Sequence, residues 1–523
     1  MSSSEATRTE LPIILVRGFG GLDVGDEKKL AYYGFNDGTV YPQKRGENYI
    51  YEGMILRFLK SAWRYQDATN VIGYYGKAVT DAREIDRTLK DFPKEFFVGD
   101  KIVVDPAMAL ALRKNPDPRR TLWVFRYYDL DDRNFEQYGV ALKRLIELIR
   151  TLVTLKTGEE QPKANIIAHS MGGLIVREML QVAYRRGEAA KSVNKVVTLG
   201  TPHQGITFQR LGSLKWLPML EARSEIARFH PDEQAKASNP AGYKNLAKAF
   251  PLERFLTVIG TNYRTFGTLP ATILNRLASV DGEFGLNYNR SDGLVKIASA
   301  GIPGAPVAYV HKCHGGPDSL ITSRETFEIA TRFFHGDIHA TLRLVDARIS
   351  KGQDFLGKSE FFIGVSLKPR GVDFDLFHQS KEAENCYGPF NSERLDDARV
   401  AFDWLGADRR RRVLYEGWLD SGAAPTDADD LVMRLETYVG ERDLFGIGFS
   451  DNLIYHGHCS VQATIDRELR LAKHTSEKFT DAGVPLQQTA DRTWLVPIEA
   501  EGFKATFGIE LSFVPERGER TLV

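Results

Sequence analysis

The fold is decided by the stretch Ala164-Asn165-Ile166-Ile167-Ala168-His169-Ser170-Met171-Gly172-Gly173, which has the pattern of a sharp turn from a strand to a helix. The apolar run before the turn predicts a buried strand, and the run Leu174 to Leu180 after it predicts a helix. Such a turn has room only for small residues two positions before and two positions after Ser170, where this chain has alanine and glycine. The pattern predicts that Ser170 is a nucleophile. The alternative is an ordinary turn with a surface serine.

Two other segments, one before and one after the serine turn, combine an apolar strand pattern with a glycine-containing loop. Residues 13–21, Ile-Ile-Leu-Val-Arg-Gly-Phe-Gly-Gly, are an apolar strand that runs into a glycine-rich loop. Residues 196–205, Val-Val-Thr-Leu-Gly-Thr-Pro-His-Gln-Gly, form a second strand-and-loop pattern after the predicted helix. With the serine turn, they resemble the α/β-hydrolase family, and within it lipases and carboxylesterases, over about residues 10 to 336. Arg17 departs from this resemblance, because such lipases usually have histidine there.

The resemblance implies a Ser-His-Asp triad. A nucleophilic serine needs a base to take its proton and an acid to orient the base, and in this family the acid precedes the histidine in the chain. Asp292, in the segment Asn289 to Val295, resembles the lipase turn that has the aspartate, and Asp281 is the alternative. The base is expected in the loop after the last strand, where His314 fits better than its neighbour His311.

Backbone N–H groups are expected to stabilise the oxyanion. By analogy with the family, they belong to Met171, which follows the nucleophile, and to Phe19 in the loop after the first strand. The chemistry calls for no cofactor. The His-x-Cys-His grouping at residues 311–314 lacks a second ligand pair at zinc-finger spacing, so no metal site is expected.

Composition excludes some other classes of protein. The 523 residues contain 69 lysines and arginines and 69 aspartates and glutamates, so there is no basic excess to favour nucleic-acid binding. Three cysteines do not suggest a disulfide framework. No secretory signal pattern and no apolar run of about 18 residues occur, so we expect a cytoplasmic protein or export by a leaderless route.

The chain is expected to form two domains. Residues 1–338 would be an α/β-hydrolase domain, with a mostly parallel sheet and helices on both faces, interrupted by insertions at about 22–120 and 206–250. The second insertion resembles a lipase lid and contains an apolar cluster at residues 214–220. Residues 339–523 alternate apolar and polar side chains between turn residues, which predicts a β-sandwich accessory domain.

The resemblance implies a serine carboxylester hydrolase that acts on lipid or other hydrophobic esters through an acyl-enzyme. Peripheral contact with a membrane or lipid interface is expected if the apolar cluster is exposed, whereas packing of that cluster on the domain is the alternative. Two other functions use the same fold: a catalytically silent binding protein, and an acyltransferase with the same triad. The sequence does not indicate whether the carboxyl-terminal domain binds a protein partner.

Overall fold

The structure is a computed structural model. It describes residues 10–18, 53–60, 63–68, 72–73, 91, 103–104, 114–125, 135–184, 187–205, 229, 239–242, 245–262, 291–315, 318–349, 360–370, 372–380, 383, 385–391, 413–421, 430–442, 453–465, 469–475 and 483–514. Most of the predicted insertion at 22–120 and most of the lid-like insertion at 206–250, including its apolar cluster, lie outside these residues.

The amino-terminal part is built on a parallel sheet. Its strands are β1 (Ile13–Val16), β2 (Gln66–Asp67), β5 (Thr121–Phe125), β6 (Ala164–His169), β7 (Val193–Leu199), β8 (Phe255–Gly260) and β9 (Val307–Val310). Strands β3 (Ile72–Gly73) and β4 (Val103–Val104) form a separate antiparallel pair. The order in the sheet is β2-β5-β1-β6-β7-β8-β9, with every neighbouring pair parallel. The carboxyl ends of these strands therefore meet at one edge.

Helices cover both faces of this sheet. They are α1 (Met54–Lys60), α2 (Phe135–Thr157), α3 (Gly172–Glu178), α4 (Ala189–Ser192), α5 (Leu246–Ala249), α6 (Ile297–Ala300) and α7 (Arg324–His335). A π-helical turn at Met179–Ala183 continues α3, and 3-10 turns lie at Pro118–Arg120 and Leu252–Arg254. Among the described residues, no helix is long and apolar enough to span a membrane.

The apolar sequence of β1 follows from burial on both faces. Ile13 and Leu15 share a core with α1 and α7, whereas Ile14 and Val16 share the opposite core with α2 and α3. Because successive side chains of a strand point to opposite faces, a sheet covered on both sides needs apolar residues at every position. The predicted α/β architecture with helices on both faces is confirmed.

The carboxyl-terminal part consists of antiparallel sheets. Its strands are β10 (Ile338–Ile349), β11 (Glu360–Pro369), β12 (Phe377–His378), β13 (Tyr387–Asn391), β14 (Val413–Leu419), β15 (Asp430–Arg442), β16 (Leu453–Ile465), β17 (Leu469–His474), β18 (Val484–Pro485), β19 (Gln487–Gln488), β20 (Trp494–Ala500) and β21 (Phe503–Phe513). One sheet has the order β14-β10-β21-β20-β19 and the other β12-β11-β15-β16-β17-β18, with β13 beside β11. The prediction of a β-rich carboxyl-terminal part is confirmed.

A continuous core joins the two antiparallel sheets to one face of the parallel sheet. Leu342 of β10 and Ile363 of β11 belong to the same apolar cluster as Phe333 of α7. The ring of Phe333 lies 4.5 Å from the ring of Trp418 in β14, edge to face. The two parts therefore pack through apolar contacts, and the domain boundary placed between residues 338 and 339 stays a prediction.

Replacement of Phe333 by alanine tests this packing. The Phe333 side chain is fully buried, so F333A should lower the free energy of unfolding by about 3–5 kcal/mol through lost burial and a cavity. Thermal denaturation followed by circular dichroism measures the loss. Leu155→Ala is the control, because Leu155 is 42% exposed and its truncation should change stability by no more than about 0.5 kcal/mol. Equal effects of the two substitutions would contradict the described packing.

Candidate active site

Ser170 lies on a strained turn at the carboxyl edge of the parallel sheet. It follows β6 directly and precedes α3, and its φ of 55° lies in the left-handed region that side chains rarely adopt. Its N–H donates to the carbonyl of Leu199 at 2.9 Å, and its own carbonyl accepts from the N–H of Gly173 at 3.1 Å. These bonds hold the strained residue between a strand and a helix, at the turn predicted from the sequence.

The turn touches the end of β1 backbone to backbone. A Cβ added at Gly172 would lie against the carbonyl of Val16 and 2.7 Å from the carbonyl of Arg17. A Cβ at Gly18 would lie against the Cβ of Ser170 and 3.0 Å from its Oγ. Side chains therefore cannot enter at residues 18 and 172, and the loop after β1 begins beside the serine.

The structure brings Ser170, His314 and Asp292 into one buried chain. His314 Nε2 is 2.9 Å from Ser170 Oγ, and His314 Nδ1 is 2.8 Å from Asp292 Oδ2. A carboxylate oxygen only accepts hydrogen bonds, so the proton of a neutral His314 lies on Nδ1 and Nε2 is free to accept from the Ser170 hydroxyl. All three residues are buried, with Ser170 3%, Asp292 1% and His314 4% exposed.

Backbone groups fix the orientation of Asp292. Its Oδ1 accepts from the N–H groups of Leu294 at 3.0 Å and Val295 at 2.7 Å, which leaves Oδ2 for His314. The carbonyl of Asp292 also accepts from the N–H of His314 at 2.8 Å. Asp292 is thus bound to His314 by a contact between the two side chains and by a hydrogen bond between the two main chains.

Two glycines make room for the acid, and sequence analysis did not single them out for this role. A Cβ at Gly200, after β7, would lie 2.7 Å from Asp292 Oδ2, and a Cβ at Gly260, at the end of β8, would lie 2.7 Å from Asp292 Cβ. Gly200 also has a positive φ of 56°. Glycine directly at the end of an apolar strand was the available signal, since it permits close approach at a sheet edge.

Arg177 is a third residue whose role was not predicted from the sequence. It lies in α3, is fully buried and donates to the carbonyls of His203 at 2.7 Å and Ala241 at 2.6 Å. Its guanidinium also lies 4.8 Å from the centre of the Phe229 ring. A charge within the apolar run that starts at Leu174 was the signal. Arg177 links the helix after Ser170 to His203, just before the predicted lid-like insertion, and to Phe229 and Ala241 within it.

The alternative residues have different positions. His311 Nδ1 is 3.2 Å from Thr261 Oγ1, and the His311 ring lies 5.6 Å from that of His378 in β12. Asp281 and Phe19 lie outside the described residues. Met171 lies at the N-cap of α3, where the N–H groups of a helix point away from the helix and need partners.

Metal ligation receives no support from the described part of the chain, which contains no group of three or more His, Cys, Asp and Glu side chains arranged to hold an ion. Cys313, between the two candidate histidines, is a buried free thiol.

A family comparison covers the part of the chain around Ser170. Residues 108–214 match the model of a family described as "PGAP1-like alpha/beta domain", a lipase-like α/β-hydrolase family. The matched span includes β5, β6, the Ser170 turn and β7. The amino-terminal part has the fold of an α/β-hydrolase. The resemblance deduced from the three sequence motifs is confirmed.

Solved structures of lipases are also similar to this α/β-hydrolase. The mature lipase BlEst2 from Bacillus licheniformis is 19% identical, covers 39% of this chain and 76% of its own, and has a TM-score of 0.28. Phospholipase PlaB from Legionella pneumophila is 13% identical, covers 69% of this chain and 89% of its own, and has a TM-score of 0.29. Curated protein sequences contain no match. The sheet order and the Ser170 turn are those of an α/β-hydrolase, and the family match covers the same turn.

Substitution of Gly172 tests the contact between the turn and β1. G172A should lower the free energy of unfolding by about 1–3 kcal/mol, because the new Cβ meets backbone carbonyls that cannot move aside. Gly301→Ala is the matched control, since Gly301 has a φ of −89° and its Cβ would make only an ordinary contact, 3.7 Å from Ile259 Cδ1. Thermal denaturation should separate the two variants. A G172A protein as stable as G301A would show that the turn lies farther from β1.

Proposed function

We propose that this α/β-hydrolase is a serine carboxylester hydrolase of lipase, phospholipase or esterase type. The observation that carries the proposal is the chain of contacts from Ser170 Oγ through the His314 ring to Asp292 Oδ2, with distances of 2.9 Å and 2.8 Å. In this proposal Ser170 is the nucleophile, His314 is the general base and Asp292 orients the imidazole.

The first half of the reaction forms an acyl-enzyme. Ser170 Oγ attacks the ester carbonyl carbon while His314 Nε2 takes the hydroxyl proton, and the carbonyl oxygen becomes an oxyanion. Asp292 stabilises the imidazolium that results, because its carboxylate accepts the Nδ1 proton. When the tetrahedral intermediate collapses, the bond to the alcohol oxygen breaks and His314 donates its proton to that oxygen. The alcohol leaves and the acyl group stays on Ser170.

The second half uses water in place of the alcohol. His314 Nε2 takes a proton from water, the hydroxide attacks the acyl carbon, and collapse returns the proton to Ser170 Oγ with release of the acid. The backbone N–H of Met171 supports this step from the start of α3, where it can donate to the oxyanion. The N–H of Phe19 is the second proposed donor, from the loop that begins beside Gly18.

Hydrophobic carboxylic esters, including lipids, are the proposed substrates. The lipase-like family of the domain supports an ester substrate, and the apolar residues 214–220 of the predicted lid-like insertion favour a hydrophobic one. The same residues would provide the proposed peripheral contact with a lipid interface.

Labelling with a fluorophosphonate probe tests the nucleophile. The wild-type protein should take up one label, and Ser170→Ala should take up none, because only an activated serine reacts with the probe. Ser366→Ala is the matched control: Ser366 is also buried, but it lies in β11 and hydrogen-bonds to Gln379. The Ser170→Ala variant should also lose hydrolysis of p-nitrophenyl esters of increasing acyl length, and the Ser366→Ala variant should keep both labelling and hydrolysis.

Two results would contradict the proposal. A folded wild-type protein that takes up no label would support a binding protein with a hydrolase fold. Labelling of Ser170 together with transfer of the acyl group to an added alcohol, in place of release of free acid, would support an acyltransferase with the same triad.

Asp292→Asn tests the acid. The asparagine oxygen can still accept from the N–H groups of Leu294 and Val295, so its NH₂ group would face His314 and force the proton onto Nε2. The turnover number kcat should fall by a factor on the order of 10⁴, with the fold retained. Asp375→Asn is the control, because Asp375 contacts His378 Nδ1 at 3.2 Å, away from Ser170, and its loss should leave kcat unchanged. A D292N enzyme with wild-type turnover would exclude Asp292 from the triad.

A further inference from the structure

His169 contacts the backbone of the proposed base. It is the last residue of β6, only 7% exposed, and its Nε2 lies 2.9 Å from the main-chain carbonyl oxygen of His314. A carbonyl oxygen can only accept, so Nε2 of His169 has the proton and donates it. The adjacent residues His169 and Ser170 thus bind the backbone and the side chain of His314, respectively.

The surroundings of His169 keep its ring neutral. Burial lowers the pKa of His169 well below the usual range of histidine, and the neighbouring ring of His314 and the charge of Arg17 lower it further. The rings of His169 and His314 are 4.8 Å apart between centres. When His314 receives the Ser170 proton it becomes a cation, and a neutral neighbour at this distance does not repel that cation.

The hydrogen bond from His169 completes the attachment of the base. The N–H of His314, which belongs to the peptide group before its Cα, already donates to the carbonyl of Asp292 at 2.8 Å. With the carbonyl of His314 bound as well, the peptide planes on both sides of its Cα are fixed. The direction of the Cα–Cβ bond follows from these two planes. Together with the ring orientation that the contact with Asp292 Oδ2 holds, it sets the distance from Nε2 to Ser170 Oγ.

We infer that His169 is a positioning residue for His314, an inference that rests on the proposed serine hydrolase function. His169 would act through the backbone of the base, since its own ring nitrogen donates to that backbone and the proton relay passes through His314. A displacement of about 1 Å in a reacting group can cost about 100-fold in rate, so the loss of this hydrogen bond should lower turnover. Substrate binding does not use it, so KM should change little.

Four variants test this inference. His169→Phe keeps a ring but removes the donor, and should lower kcat by about 10- to 100-fold with KM within about twofold of wild type. His169→Gln places an amide N–H near the position of Nε2, and should restore most of kcat. His169→Asn has a shorter side chain that cannot reach the carbonyl, and should be impaired like the phenylalanine variant. His203→Phe is the matched control.

The control shares the burial of His169 but not its contact. His203 is fully buried, follows β7 at the same edge of the sheet, and its Nε2 lies 3.0 Å from Thr198 Oγ1. Its replacement should lower the thermal midpoint and leave kcat unchanged. Circular dichroism and thermal denaturation of every variant show which of them fold. If the phenylalanine variant does not fold, the comparison of the glutamine variant with the asparagine variant still tests the inference.

The results separate this inference from the function on which it rests. Wild-type protein that neither hydrolyses p-nitrophenyl esters nor takes up the fluorophosphonate label would refute the proposed function, and the inference with it. An active wild type whose folded His169→Phe and His169→Asn variants keep wild-type kcat would refute the positioning role alone. A glutamine variant as impaired as the asparagine variant, with both folded, would also refute it, because the donor would then not matter.

Discussion

Close backbone contact at the Ser170 turn sets the geometry on which the rest of the site depends. β1 and β6 are parallel neighbours that end at the same edge of the sheet, and Gly172 touches the carbonyls of Val16 and Arg17 there. Ser170 occupies a left-handed conformation that an L-residue adopts only when its surroundings enforce it. The sheet provides that enforcement, because β6 is hydrogen-bonded between two other strands and the N–H of Ser170 is bound to Leu199. The hydroxyl therefore leaves the sheet edge in one direction, toward His314.

Burial gives the groups around Ser170 their electrostatic properties. A carboxylate removed from water is costly unless hydrogen bonds replace its hydration, and Asp292 receives these from two backbone N–H groups and from His314. His169, by contrast, is buried beside an imidazole and Arg17, and burial favours its neutral form. The site thus pairs a buried anion with a ring that becomes cationic in the proposed reaction, and places a neutral ring behind it.

Part of this site could be predicted because its residues are neighbours in the chain. The strand, the turn and the helix around Ser170 follow each other directly, so local pattern and steric limits identify them. The choice of His314 over His311 depended on the resemblance to a family, because the two histidines are only three positions apart and local pattern does not distinguish them. The structure distinguishes them by their contacts: His311 lies beside Thr261 and His378, whereas His314 contacts Ser170. Gly200, Gly260 and His169 contact residues more than 30 positions away. The chain could indicate that the two glycines permit a close approach at the sheet edge, but not which residue approaches them.

Local order along the chain was enough to deduce the alternating α/β domain, the β-rich part after it and the serine on its turn, because hydrophobic periodicity and the small residues at a tight turn are properties of neighbouring residues. Only the tertiary structure decided which histidine meets the serine, that Asp292 meets the same histidine and that His169 binds the backbone of His314. These contacts join residues 22 to 145 positions apart, and they exist because parallel strands bring their carboxyl ends to one edge of the sheet.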